Sequence, residues 1–153
     1  MKLLLWYDDE KLSIEFDTAP CIGVRYVTPS STPAEKKSIK KFPFINKREL
    51  KVWITDKTKG YTYHFTIPKG YCYDGASIPR FFWRVIGSKT DNAFLIAALI
   101  HDVLCENHYY VNGDRYLSTI VFERLLSVGG VGGFKRWLMK HSVDNFQKFQ
   151  GWG

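Results

Sequence analysis

"YTYHFTIPKGYCYDGASIPRFFWRVI", residues 61–86, is where the chain changes its periodicity. Up to Ile67 apolar residues alternate with polar ones, so Tyr61, Tyr63, Phe65 and Ile67 share one face of a strand while Thr62, His64 and Thr66 share the other. Beyond Gly70 the spacing lengthens to the helical repeat, and "PRFFWRVI" (79–86) reads as a short helix. Strands before this point and helices after it predict an α+β protein, because an alternating parallel-sheet fold would interleave the two.

Working back, "RELKVWIT" (48–55) alternates in the same way, with Leu50, Val52 and Ile54 on one face. The intervening "DKTKG" closes a hairpin onto 61–68. His64 falls on the face away from the core and reads as a surface histidine. "KLSIEFD" (11–17) and "IGVRYV" (22–27), separated by a Pro-Cys break, predict a first β-pair. "TPSSTPAEKKS" (28–38), with two prolines and a run of small polar residues, reads as a loop. Working forward, "TDNAFLIAALIHDVLCEN" (90–107) is apolar on nearly every side from Ala93 to Ile100, which predicts a central, surrounded helix. Residues 113–128 and 132–149 read as two more helices. "VGGVGG" (128–133) between them fits no phosphate-loop spacing and reads as a flexible connection. The expectation is a single domain, 1–153, with N-terminal antiparallel β-hairpins (β-rich to residue 70), a lysine-rich loop at about 28–47, and a bundle of three to four helices over 77–150.

Bulk properties narrow the function classes. No run approaches the roughly 18 apolar residues of a membrane span. The first apolar run meets Asp8, Asp9 and Glu10 too soon for a signal peptide, so cytoplasmic residence is the default expectation. Cys21, Cys72 and Cys105 lack metal-ribbon or disulfide spacing and are expected as thiols. Of the formal charge of +7, residues 34–51 hold seven cations, Lys36, Lys37, Lys40, Lys41, Lys47, Arg48 and Lys51, against Glu35 and Glu49. Such a segment is either a solvated loop or a contact surface for nucleic acid or another polyanion. No zinc finger, aromatic RNA-binding motif or helix-turn-helix pattern supports the second. The aromatic content of 16% supplies further contact groups, Trp53 among them.

Two stretches carry candidate chemistry. In "YDGASIPR" (73–80), Asp74-Gly75 suits a turn, Ser77 a helix cap and Pro79 a first helical turn, which leaves Arg80 beside Asp74 without a structural reason. In "IAALIHDVLCENH" (96–108), His101 and Asp102 end the apolar run, and a helix continued to His108 would align His101, Cys105 and His108. Imidazole with carboxylate suits a divalent metal, with His101, Asp102 and His108 as ligands. Equally, a packed histidine beside a helix-end aspartate gives the same letters.

The order "YDGASIPRFFW" then "AALIHDVLCEN", followed by a helix with Arg115 and Phe122, resembles the family known as domain of unknown function 1353, small proteins of tailed phages and prophages. The resemblance covers about residues 65–150. It implies a phage or prophage origin, with Asp74, Gly75, Ser77, Pro79 and Arg80 matching a first motif and His101 and Asp102 a second, and it brings no established reaction. Where the family's third motif carries an aspartate this chain has Thr119, and Asp114 could replace it only from the start of the helix.

Two functions follow as expectations. The first is a non-enzymatic phage accessory protein that binds a host factor or serves virion assembly, in the host cytoplasm or the virion. In it Asp74, Arg80, His101 and Asp102 form a buried polar network without cofactor, and Lys36, Lys37, Lys40, Lys41 and Trp53 make contacts to a host or phage protein, with nucleic acid as a second candidate and no membrane. The alternative is a metal-dependent hydrolase in which His101 and Asp102 hold the ion, Asp74 is third ligand or base, and Arg80 binds an anionic substrate group. A Ser77 nucleophile lacks its usual elbow motif. The missing third-motif aspartate favours the first.

Overall fold

The computed structural model describes residues 2–74 and 92–128, the backbone alone at Asn92 and Ala93, together with Gly133, Lys140 and His141. Seven strands come first: β1 Leu4–Asp8, β2 Leu12–Phe16, β3 Ile22–Val24, β4 Phe44–Asn46, β5 Leu50–Asp56, β6 Tyr61–Ile67 and β7 Cys72–Tyr73. Helix α1, Pro33–Lys41, lies between β3 and β4. Helices α2, Asn92–Glu106, and α3, Arg115–Val128, follow the strands, joined through a 3-10 turn at His108–Val111. The class is α+β, as the change of period predicts. The expected helix at 79–86 lies outside the described residues, and so does that at 132–149 apart from three positions.

The strands form two antiparallel sheets, β1-β2-β5-β6 and β3-β4-β7. The β5–β6 hairpin has the expected register, Val52 opposite Phe65 and Ile54 opposite Tyr63. Its turn is held by Asp56, whose carboxylate accepts from the Thr58 hydroxyl at 2.6 Å, the Thr58 N–H at 3.0 Å and the Lys59 N–H at 3.3 Å. Gly60 completes it at φ +64°, where a side chain would be strained. Leu50, Val52, Ile54, Tyr63, Phe65 and Ile67 are all buried, whereas Tyr61 at the turn end is half exposed.

Three expectations are corrected. The strand at 12–16 does not pair with 22–27. It lies between β1 and β5, with Ile14 opposite Tyr7 on one side and Ile54 on the other. Asp17 fixes that join by accepting the Lys51 N–H at 2.8 Å and donating its own N–H to the Lys51 carbonyl at 3.2 Å. The chain then leaves the first sheet, and Ile22–Val24 pairs with β4 in the second. β1 itself is absent from the sequence reading. A bulge between Leu5 and Tyr7 interrupts its alternation, so that Trp6 and Tyr7 both pack against the core.

The third correction concerns the lysine-rich loop, which contains α1 and β4. Pro33 stands at the helix start, where its missing N–H costs nothing, and Thr32 caps the helix by accepting the Glu35 N–H at 3.1 Å. The same prolines and hydroxyl residues that suggest a loop therefore open a helix.

α2 lies in the hydrophobic core shared with the strands. Every residue from Phe94 to Leu104 is buried, as its unbroken apolar surface predicts, and α3 packs on it through Leu117, Val121, Phe122, Leu125 and Leu126. Each such side chain contributes about 1.5–3 kcal/mol through removal from water. Asn46, fully buried, ties the second sheet to the end of β6, its side-chain amide donating to the Pro68 carbonyl at 3.1 Å.

Candidate functional site

His101 belongs to the most buried helix among the described residues, and its side chain has no exposed surface. The ring packs against Phe122 of α3, centroids 5.4 Å apart and inclined by 60°. Cys105, one turn on and half-buried, brings its Sγ to 3.7 Å from Nδ1 and 3.6 Å from Nε2. Asp102 Oδ1 lies 3.9 Å from Nδ1, the distance of an ion pair and too long for a hydrogen bond. Burial opposes a proton on His101, but Asp102 and Cys105 favour it and prevail, raising the imidazole to about 9. The nearly buried carboxylate beside the ring thus favours its cationic form.

β7 carries the other wall. Tyr73 donates its hydroxyl to the Leu95 carbonyl at 2.9 Å, and Tyr71 donates to Glu106 at 2.7 Å, so the two tyrosines clasp α2 near both ends. Burial raises both phenols, and the negative charge of Asp102 adds to it. Asp74 is the next residue after Tyr73 and is half-buried. The sheet-to-helix junction therefore brings Tyr71, Tyr73, His101, Asp102, Cys105 and Glu106 into one neighbourhood. The sequence reading missed the tyrosines; the alternation of "YCYD" (71–74), one ring every second residue, is the signal that marks them.

Arg80, Ser77 and Pro79 lie outside the described residues. α2 ends at Glu106, so the shared face holds for His101 and Cys105, while His108 is exposed at the start of the 3-10 turn. Among the described residues no three His, Cys, Asp or Glu side chains form a group that could hold a metal ion. Thr119 is buried and donates its hydroxyl to the Arg115 carbonyl at 3.2 Å.

The remaining candidates are exposed or half-buried. Lys36, Lys37, Lys40 and Lys41 stand on α1, in which no residue is buried. Trp53 lies on the outer face of the first sheet, stacked on His64 with centroids 4.4 Å apart, and His64 also hydrogen-bonds the Val52 carbonyl at 3.1 Å. Register places Leu5, Glu15, Trp53 and His64 in one row across that face.

A pocket of about 440 Å³ lies elsewhere, between the β5–β6 turn and α3, lined in part by Lys11, Lys59, Asp114 and Arg124. Most of its charges are already paired. Lys59 binds Asp114 at 2.9 Å, and Arg124 binds Glu123 and, at 3.1 Å, Asp9. Asp9 also accepts from the Tyr7 hydroxyl and from the N–H groups of Lys11 and Leu12. Burial alone would raise that carboxyl, but these donors hold it well below the usual carboxylate range. The cluster fastens the first hairpin to α3. No helix among the described residues is long and apolar enough to cross a membrane.

No solved structure matches this protein. The uncharacterized protein y4jT of Sinorhizobium fredii is 35% identical over 80 residues, which are 52% of this chain and 23% of that protein. The chain thus spans less than a quarter of that relative's length. The family model described as "Protein of unknown function (DUF1353)" matches residues 50–143, from the first residue of β5 through α2 and α3. Covering more than half of the chain, and including the His101–Asp102 pair, that match makes this protein a member of the DUF1353 family.

Proposed function

We propose that the protein is a non-catalytic accessory protein of a phage or prophage that works by binding a host or phage protein, in the host cytoplasm or the virion. The phage setting follows from the family resemblance. The observation that carries the non-catalytic reading is the complete burial of the His101 side chain against Phe122. An imidazole that exchanges protons with substrate must reach it within hydrogen-bond distance or through one water. One held inside the core with its own carboxylate serves instead as a packed polar group of α2, its ring seated against Phe122 of α3. Accessible contact groups for a protein partner lie elsewhere, in the row of Leu5, Glu15, Trp53 and His64 on the outer face of the first sheet. Thr119 agrees with this reading, its hydroxyl spent on the helix backbone.

One observation favours a metal-dependent hydrolase built on Asp74, His101 and Asp102, with Arg80 on substrate. Asp74 directly follows Tyr73 of β7, whose phenol, like that of Tyr71 just before the strand, feels the charge of Asp102. Elemental analysis of the purified wild type beside thermal melting of His101→Ala separates the two. The binding reading expects no stoichiometric transition metal and a lowered melting temperature. Stoichiometric zinc, manganese or iron, lost from a variant that melts like wild type, would overturn the binding reading and make the hydrolase the better one.

A further inference from the structure

We infer that α1 is a docking element for the phosphate backbone of nucleic acid. Successive residues of a helix are turned by about 100°, so Lys36, Lys40, Lys37 and Lys41 fall within an arc of about 140°. Glu35 lies outside that arc, with Ser38 and Ile39, the half-buried residues of the helix. The lysines of each pair Lys36/Lys40 and Lys37/Lys41 are about 6 Å apart along the axis, comparable with the step from one phosphate to the next along a strand.

The helix is also held in place. Besides the Thr32 cap, Arg25 of the segment leaving β3 reaches across, its guanidinium donating to Ser38 Oγ at 3.2 Å and to the Phe42 carbonyl at 3.0 Å. Lys41 rests its ammonium over the Phe42 ring, 5.3 Å from the centroid.

Helix stability does not account for this arrangement. The macrodipole rewards Lys40 and Lys41 in the last turn but not Lys36. Lys36–Lys40, Lys37–Lys41 and Lys37–Lys40 are like-charged pairs at the spacings where side chains meet, and each is mildly destabilising. A polyanion converts all three repulsions into attractions. Nucleic acid fits better than the other polyanionic partners. A protein interface centres on apolar or aromatic anchors and is depleted in lysine, whereas the exposed arc of α1 offers lysine stems. An interfacial membrane helix inserts an apolar face, and the one large apolar residue of α1, Ile39, is turned toward the protein. Contacts made by lysines to phosphates carry position and affinity but no sequence readout.

Fluorescence anisotropy of the full chain with labelled single-stranded and duplex oligonucleotides, from about 50 to about 200 mM salt, tests this. Lys36→Gln/Lys37→Gln/Lys40→Gln should melt like wild type and bind roughly tenfold more weakly, with a salt slope reduced by about 0.7–0.9 per lost contact. The same three positions changed to Arg should restore binding. Lys2→Gln/Lys11→Gln/Lys69→Gln, which removes equal charge from exposed sites outside α1, should change affinity much less. No binding by wild type at the low-salt end, equal losses in the two glutamine variants, or binding to polyglutamate or anionic vesicles as tight as to oligonucleotide would each overturn the proposal. None of these outcomes bears on His101, so this proposal and the preceding one fail separately.

Discussion

Helices α1 and α2 place their polar residues under opposite conditions. α1 buries none of its nine residues and spreads its cations into water, while α2 is enclosed from Phe94 to Leu104 and carries His101 and Asp102 inside. In water a charge is screened and cheap, so four lysines on α1 impose little on the fold and remain available to a partner. Inside, a charge must be met by another or it is not tolerated, so the polar pair of α2 is committed to the structure. The same amino-acid chemistry thus becomes a contact in one helix and a structural fastening in the other.

If that contrast is right, the largest effect belongs to the α2–α3 interface. Phe122→Ala removes the ring on which His101 rests and should cost about 3–5 kcal/mol, read from denaturant unfolding. A loss below 1 kcal/mol would mean that the interface adapts and that His101 is not held by packing.

His101→Ala comes next, at about 1–3 kcal/mol, and more if Asp102 is left charged and unpaired. Its pH dependence sharpens the point. A histidine raised in the folded state stabilises fully below the unfolded value of about 6.5 and loses that contribution as pH rises through about 9. Wild-type melting temperature should therefore fall across that interval, and His101→Ala should flatten the fall. A flat wild-type profile would show that His101 is neutral in the folded protein.

Asp9 sits between the two extremes, partly exposed yet fully bonded. A depressed carboxyl stabilises above its unfolded value, near 4, and the contribution is lost as pH falls toward the folded one. Asp9→Asn should cost about 1–2 kcal/mol at neutral pH and remove part of the acid sensitivity below about pH 4. Parallel acid curves for the two proteins would break the assignment. Smallest of all, removing Lys36, Lys37 and Lys40 should shift stability by no more than about 0.5 kcal/mol, and toward greater stability if repulsion dominates. A substantial loss would place α1 with α2 as a structural element.

What the sequence reveals follows the same division. β5, β6, α2 and α3 are legible because each repeats its pattern over seven or more residues. β4 is three residues, too short for a period to be read; β3 is legible as a strand but its pairing is not, because β2 takes β5 as a partner across the whole excursion that carries β3, α1 and β4. α1 hides because Pro33 and Thr32 are as much the letters of a helix start as of a loop. At the site, the His101–Cys105 contact follows from helical spacing. The enclosure of the ring by Phe122 does not, since it depends on how α3 returns across α2.

Among the described residues the sheet edges also bear on how a partner could be recognised. β-augmentation, in which a partner adds a strand, needs a long and regular edge. β1 is interrupted by its bulge, and β6 is flanked by the 3-10 turn, where Tyr110 stacks on Phe65 at 5.0 Å. The edges of the second sheet, β3 and β7, are three and two residues long. Among the described residues the side chains offered to a partner are charge on α1 and aromatic surface around Trp53.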